Sequence, residues 1–101
     1  MTIARIWHGI VPAAKAEEYQ RLMREVALPD YRATPGNQGA WCLTRREGDV
    51  VHFEMLTFWQ DVAAIRRFAG EHYDVAKYYD FDGDYLIEKE PHVRHYDAVD
   101  R

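Results

Sequence analysis

The alternation of apolar and polar positions divides the chain into six elements. Residues 2–11, TIARIWHGIV, are dense in β-branched and aromatic side chains and predict a strand. Pro12 stands where a first helical turn tolerates proline, and AAKAEEYQRLMREVAL follows as a helix. Tyr19, Leu22, Met23 and Val26 fall at i, i+3, i+4 and i+7, a single apolar stripe, with Glu17 and Arg21 paired on the wet side. Pro29 is expected to end this helix, and YRATPGNQG to form a turn-rich loop. GAWCLTRRE and DVVHFEMLTFWQ predict two strands joined near Glu47-Gly48-Asp49. The second is apolar on both alternating sets, apart from His52 and Glu54, so it is expected to be a central strand covered on both faces. Asp61 is a good N-cap for VAAIRRFA and Gly70 a good stop. A further helical turn or two is expected from Glu71, because His72, Val75 and Tyr79 share a face. PHVRHYDAV (91–99) closes the chain as a strand, with Pro91 at its tolerated first position.

The order β-α-β-β-α-β is the split βαβ of the ferredoxin-like plait, an α+β fold. It predicts one domain over residues 1–101, with a four-stranded antiparallel sheet and helices on one face. The other face is then bare. So apolar a sheet is expected to meet a second copy there, giving a homodimer.

Composition sharpens that expectation. The chain of 101 residues is 48% hydrophobic and 14% aromatic, while a domain this small buries only roughly 60–65% of its unfolded surface. Leftover apolar surface is best hidden between subunits. The net charge of −4 is uneven. Residues 71–90 hold seven acids (Glu71, Asp74, Asp80, Asp82, Asp84, Glu88, Glu90) against Lys77 and Lys89, a local sum of −5. Without a basic patch, nucleic acid is not an expected partner. The lone Cys42 excludes an intrachain disulfide, and no run approaches the ~18 apolar residues that span a bilayer. MTIARIWHGIVP carries no cleavable leader pattern. A cytoplasmic domain without membrane contact is the expectation.

EHYDVAKYYDFDGDY (71–85) packs five aromatic rings and five carboxylates into fifteen residues. Counted from Asp80, its glycine (Gly83) falls at position 4 and Pro91 occupies position 12, so the spacing of a calcium loop fails. The segment is too aromatic for disorder. It reads as a helical extension and loop whose tyrosines lie against a pocket or partner, with the carboxylates in water. His92 and His95 point to opposite faces of a strand and cannot share a metal. There is no HExxH, phosphate loop or nucleophile elbow, so neither metal nor cofactor is expected. Rings and imidazoles recur instead: Phe58, Trp59, Phe68, His72, Tyr73, Tyr78, Tyr79, Tyr85, His95 and Tyr96, expected to converge on one end of the plait. Most such rings are core. The functional alternative is a pocket for a flat aromatic ligand.

ARIWHG, LPDYRATPGN, FAGEHYDVAKYYD and EPHVRHYDAV together resemble a short branch of the antibiotic biosynthesis monooxygenase superfamily, over essentially the whole chain. The resemblance implies a dimeric α+β barrel, two plaits packed sheet to sheet, with a pocket in each subunit between sheet and helices. Better-known members oxidise polycyclic phenols without metal or flavin, and others degrade haem with an Asn, Trp and His set. Trp59 and His72 match that set loosely, but Arg5 or Trp7 stands where the Asn belongs, which argues against haem. The expected activity is cofactor-independent oxygenation of a small aromatic or polycyclic phenol, in which a base makes an electron-rich anion that O₂ oxidises. His95 and His72 are the candidate bases. Trp59, Phe68, Tyr73, Tyr79 and Tyr85 are candidate ring walls or hydroxyl donors, Arg94 a cationic donor, and His8 and His52 rival histidines. The alternatives are a non-oxidative isomerase or lyase, and a dimer that binds a small hydrophobic ligand without turnover.

Overall fold

The expected strands all form, and their register sets the two faces of the molecule. In the computed structural model, which describes residues 2–99, the strands are β1 (Thr2–Pro12), β2 (Asn37–Glu47), β3 (Val50–Trp59) and β4 (Arg94–Ala98). They make one antiparallel sheet in the order β2-β3-β1-β4. This is the ferredoxin-like plait, with β3 central. Gly48, at φ 60°, turns the hairpin between β2 and β3.

Alternation sends Arg5, Trp7 and Val11 of β1 and Phe53, Met55, Thr57 and Trp59 of β3 to the helix side, where all are buried. The other face carries Ala4, Ile6, His8 and Ile10 beside His52, Glu54, Leu56 and Phe58. No helix among the described residues packs on it.

The first helix does not end at Pro29. Helix α1 (Ala16–Leu22) passes into a π-helical turn, Met23–Ala27, and continues as α2 (Leu28–Ala33) with Pro29 in its first turn. The Leu28 N–H donates to the Met23 carbonyl, five residues back. The wider turn falls just before the proline, whose missing N–H then breaks nothing. It also shifts the buried stripe, which runs Tyr19, Met23, Ala27 and Tyr31 at intervals of four. Val26, expected in the core, is exposed, and Arg21 pairs with Glu25 rather than Glu17. Most of the expected loop after Pro29 belongs to α2 and to β2.

Helix α3 (Val62–Ala69) has the expected ends: Asp61 accepts from the Ala64 N–H at 2.9 Å, and Gly70 closes it at φ 92°. Ala64, Ile65 and Phe68 lie in the core.

The helical extension after Gly70 is absent among the described residues. Residues 74–76 pair locally with 91–93: Val75 bridges His92, and Val93 N donates to Asp74 O at 3.0 Å. That pairing withholds 91–93 from β4, which starts at Arg94 instead of Pro91. DFDGD forms a 3₁₀ turn, and Asp82 is buried rather than solvated, against expectation. It accepts from the Tyr79 N–H at 2.6 Å and the Tyr19 hydroxyl at 2.7 Å, which satisfies its oxygens inside the fold. No helix among the described residues is long and apolar enough to cross a membrane.

Candidate functional site

Between sheet and helices the rings pack on one another. Tyr31 stacks on Phe68 at 4.3 Å between centroids, and both lean on Trp59. Trp59 is fully buried and donates its indole N–H to Thr57 Oγ1. The pocket expected here is nearly closed. Trp7, Tyr19, Tyr31, Lys77, Tyr79 and Asp82 line a void of about 10 Å³, room for about one water. The tyrosine hydroxyls find partners within the protein: Tyr79 on Asp30 at 2.6 Å, Tyr85 on Glu18 at 2.7 Å, and Tyr78 on the Glu90 carbonyl. Burial pushes Tyr79 upward, and the Asp30 carboxylate adds to it. Burial would raise Asp30, yet the bonds from Tyr79 and Lys77 together hold it below the usual carboxylate range.

At the edge of this layer a larger cavity, about 240 Å³, is lined by Ile3, Val62, Tyr73, His95, Tyr96 and Asp97. β4 places His95 opposite Arg5, on the helix side. Tyr73 meets its ring edge to face at 5.2 Å. His95 Nε2 is buried and has no hydrogen-bond partner among the described residues. Burial lowers the His95 pKa, and the neighbouring Arg5 charge lowers it further against a smaller opposing pull from Asp74. The imidazole is therefore neutral at neutral pH, with a ring nitrogen uncommitted.

The bare sheet face holds a separate constellation. Ile6, His8, Arg45, His52, Glu54, Glu90, His92 and Arg94 surround a cavity of about 310 Å³. Through it runs a chain of bonds: Glu90 Oε2 to His8 Nδ1 at 2.5 Å, His8 Nε2 to His52 Nδ1 at 2.9 Å, and His52 Nε2 to Glu47 Oε1 at 3.0 Å. Carboxylates only accept, so the outer ring nitrogens carry protons, while the inner contact has room for one. Both histidines have every ring nitrogen engaged, which unsuits them as bases. Among the described residues no group of three or more His, Cys, Asp or Glu side chains is placed to hold a metal ion.

The ten expected site residues thus do not converge on one end of the plait. Trp59, Phe68, Tyr73, Tyr79 and His95 share the helix side. His8, His52 and Arg94 lie on the bare face. Tyr85 packs at 5.4 Å on Tyr19, among α1 and the 3₁₀ turn, and His72 is exposed on the segment after α3. Arg94 does not turn inward, because regular pairing with Ile6 fixes it on the far side from His95. Phe58 and Tyr96 also face away from the helices. Expectation missed Arg5, Trp7, Asp30 and Asp82. The signal for Arg5 was present: it interrupts the alternating set Ile3, Trp7, Val11 with the one charge.

A ferredoxin-like plait with its cavities on both sides of one sheet is the class that the geometry defines. No protein-family model matches the chain, and no curated protein matches it. Solved structures do. A Caulobacter crescentus protein provisionally assigned as an antibiotic biosynthesis monooxygenase superposes with a TM-score of 0.70 at 19% identity, over 98% of this chain and 91% of that one. A heme-degrading protein of Mycobacterium tuberculosis, in heme-free form, gives 0.66 at 18% identity over 98% and 95%. A Bacteroides thetaiotaomicron protein with the same provisional monooxygenase assignment gives 0.61 at 21% over 97% and 88%. At these identities the likeness shows a shared fold, the ferredoxin-like plait that is one subunit of the barrel the sequence resemblance implied. The haem-type residues do not assemble here: Trp59 is sealed in the core and His72 stands outside it.

Proposed function

We propose that the protein oxygenates a small aromatic phenol without a cofactor, with His95 as the base. The observation that carries this is the neutral imidazole of His95, one ring nitrogen uncommitted, on the wall of the 240 Å³ cavity. His72 lacks a walled site, and His8 and His52 are occupied with one another and with carboxylates. The cavity lies just under the roughly 300–1,000 Å³ of ordinary ligand pockets, which favours a ligand of one or two rings.

In this reading His95 takes the phenolic or benzylic proton and leaves an electron-rich anion. The anion passes one electron to O₂. Substrate radical and superoxide combine to a peroxide, and loss of water leaves the quinone, so one O₂ yields one quinone oxygen and one water. Tyr73 and Val62 wall the ring. Such a proton transfer is typically worth about 10²–10⁴ in rate.

The test is oxygen uptake by metal-stripped protein given one-ring hydroquinones and naphthol-type phenols. His95→Gln is expected to lose about 10²–10⁴ of the rate, and His72→Gln to retain it. The base works deprotonated, and its pKa is lowered from the ordinary 6.5. Activity is therefore expected to be level through pH 7 and to fall only below about 6.5. Uptake indifferent to His95 would refute the assignment. A second reading, proton transfer without oxygen as in an isomerase or lyase, uses the same imidazole and predicts turnover under nitrogen. We also propose that two copies pack through the bare sheet face.

A further inference from the structure

Arg5 is 1% exposed, yet its Nε and Nη2 have no hydrogen-bond partner among the described residues. Buried charges are ordinarily paired or fully hydrogen-bonded. Burial is the dominant influence on this guanidinium, and the groups that favour its charge are the phenols Tyr31, near enough to hydrogen-bond it, and Tyr79, with no carboxylate among them. The neighbouring cation makes the contrast plain. Arg5 and Lys77 both lie on the Phe68 ring, at 5.5 and 4.2 Å from its centroid. Lys77 has Asp30 at 3.0 Å; Arg5 has no such partner.

Its position is equally specific. Tyr31 and Tyr79 line the small interior void, while Ile3, on the same face of β1, and His95, directly across the strand pair, line the 240 Å³ cavity. Two residues along β1, Trp7 Nε1 is another buried donor without a partner. Every unmet group on Arg5 and Trp7 is a donor, so the cluster calls for an acceptor, and its charge calls for an anion.

We propose that Arg5 is an anion-binding residue, holding the anionic oxygen of an aromatic ligand, carboxylate or phenolate, whose ring occupies the His95 cavity. This rests on the reading of that cavity as a ligand site. Phe68 lies over Arg5, and the segment after Gly70, which has neither helix nor regular strand, lays Lys77 on that same ring and Tyr73 on His95.

The test is titration of native protein, Arg5→Met and Arg5→Lys with benzoate, 4-nitrophenolate and the uncharged benzamide, with melting temperatures of the three ligand-free proteins alongside. One or both anions are expected to bind and the amide to bind far more weakly. Arg5→Met is expected to lose about ten- to a hundredfold in anion affinity while melting at the same or a higher temperature, since it removes an uncompensated buried charge. Arg5→Lys keeps the charge without the fork and is expected to fall between. Binding of benzoate alone identifies a carboxylate ligand, and of nitrophenolate alone a phenolate. The proposal is overturned if neither anion binds, if benzamide binds as well as benzoate, or if Arg5→Met retains the affinity. It is equally overturned if Arg5→Met melts well below native, since the guanidinium then holds the fold. The titrations are run under nitrogen, so that binding is read apart from oxygenation. Anion binding without oxygen uptake by any phenol would leave Arg5 its role and refute the oxygenase, while uptake that survives Arg5→Met would refute the Arg5 role alone.

Discussion

Among single residues, Asp82 shows how much position outweighs type. It lies in a run of acids that sequence reading assigned to water, and its neighbours Asp80 and Asp84 are exposed. Asp82 instead turns inward, accepting from Tyr79 N–H and Tyr19 Oη–H. Removing it orphans a half-buried amide and a buried phenol, the latter alone costing about 1–3 kcal/mol. Asp82→Ala is expected to lose about 2–4 kcal/mol in urea unfolding, against about 0.5 kcal/mol or less for Asp80→Ala or Asp84→Ala. Equal costs across the three would mean the turn is held by its backbone alone. Nothing in DFDGD marks the middle acid, because its partners come from α1, more than sixty residues away, and from the start of its own turn. Arg5 differs. Its burial was legible from alternation alone, whereas the lack of a carboxylate nearby emerges only when Asp30 is seen committed to Lys77 and Tyr79.

Elements bounded by local chemistry were legible, and those bounded by tertiary pairing were not. Strands β1 to β3 follow from β-branched and aromatic runs, and α3 from Asp61 and Gly70 at its ends. Pro29 misled because the π turn before it absorbs the missing N–H at a distance that helical periodicity does not anticipate. The segment after Gly70 misled because 74–76 finds 91–93 as partner, so a helical spacing of His72, Val75 and Tyr79 is overruled by pairing across the loop. The cap of α3 gives a direct check. Asp61→Ala removes the acceptor for Ala64 N–H and is expected to cost about 0.5–2 kcal/mol. Asp61→Asn, which keeps an acceptor oxygen, is expected to restore most of it in the same denaturant series. Since α3 carries Phe68 onto both Tyr31 and Arg5, the Ala variant should also blunt anion affinity, a coupling that an isolated surface helix would lack.

For the whole molecule, the unequal faces of the sheet decide what remains to be covered. Strand register lines up rows across the bare face: Phe58, Ala4 and Tyr96 in one, and Trp41, Leu56, Ile6 and Arg94 in the next. Beyond them the rows turn polar through Glu54, His8 and His52. Trp41 meets Phe58 edge to face at 5.8 Å, yet Trp41 is 51% exposed and Leu43 47%. An apolar end beside a charged end suits a two-fold contact in which identical rows meet, because the apolar rows are then buried once from each side. Sedimentation is expected to show a dimer in the micromolar range. Leu43→Asp sets two carboxylates against each other in a dry contact and is expected to give monomer with unchanged far-ultraviolet dichroism. An equivalent change at Val26, exposed on the π turn of the helix layer, should leave the dimer intact. A native monomer, or equal dissociation by both variants, would refute the face-to-face arrangement. His95 and Arg5 lie on the opposite side of the sheet, so the Leu43→Asp monomer should still bind the aromatic anion. Loss of that binding on dissociation would instead mean that the helix-side site is completed by the partner.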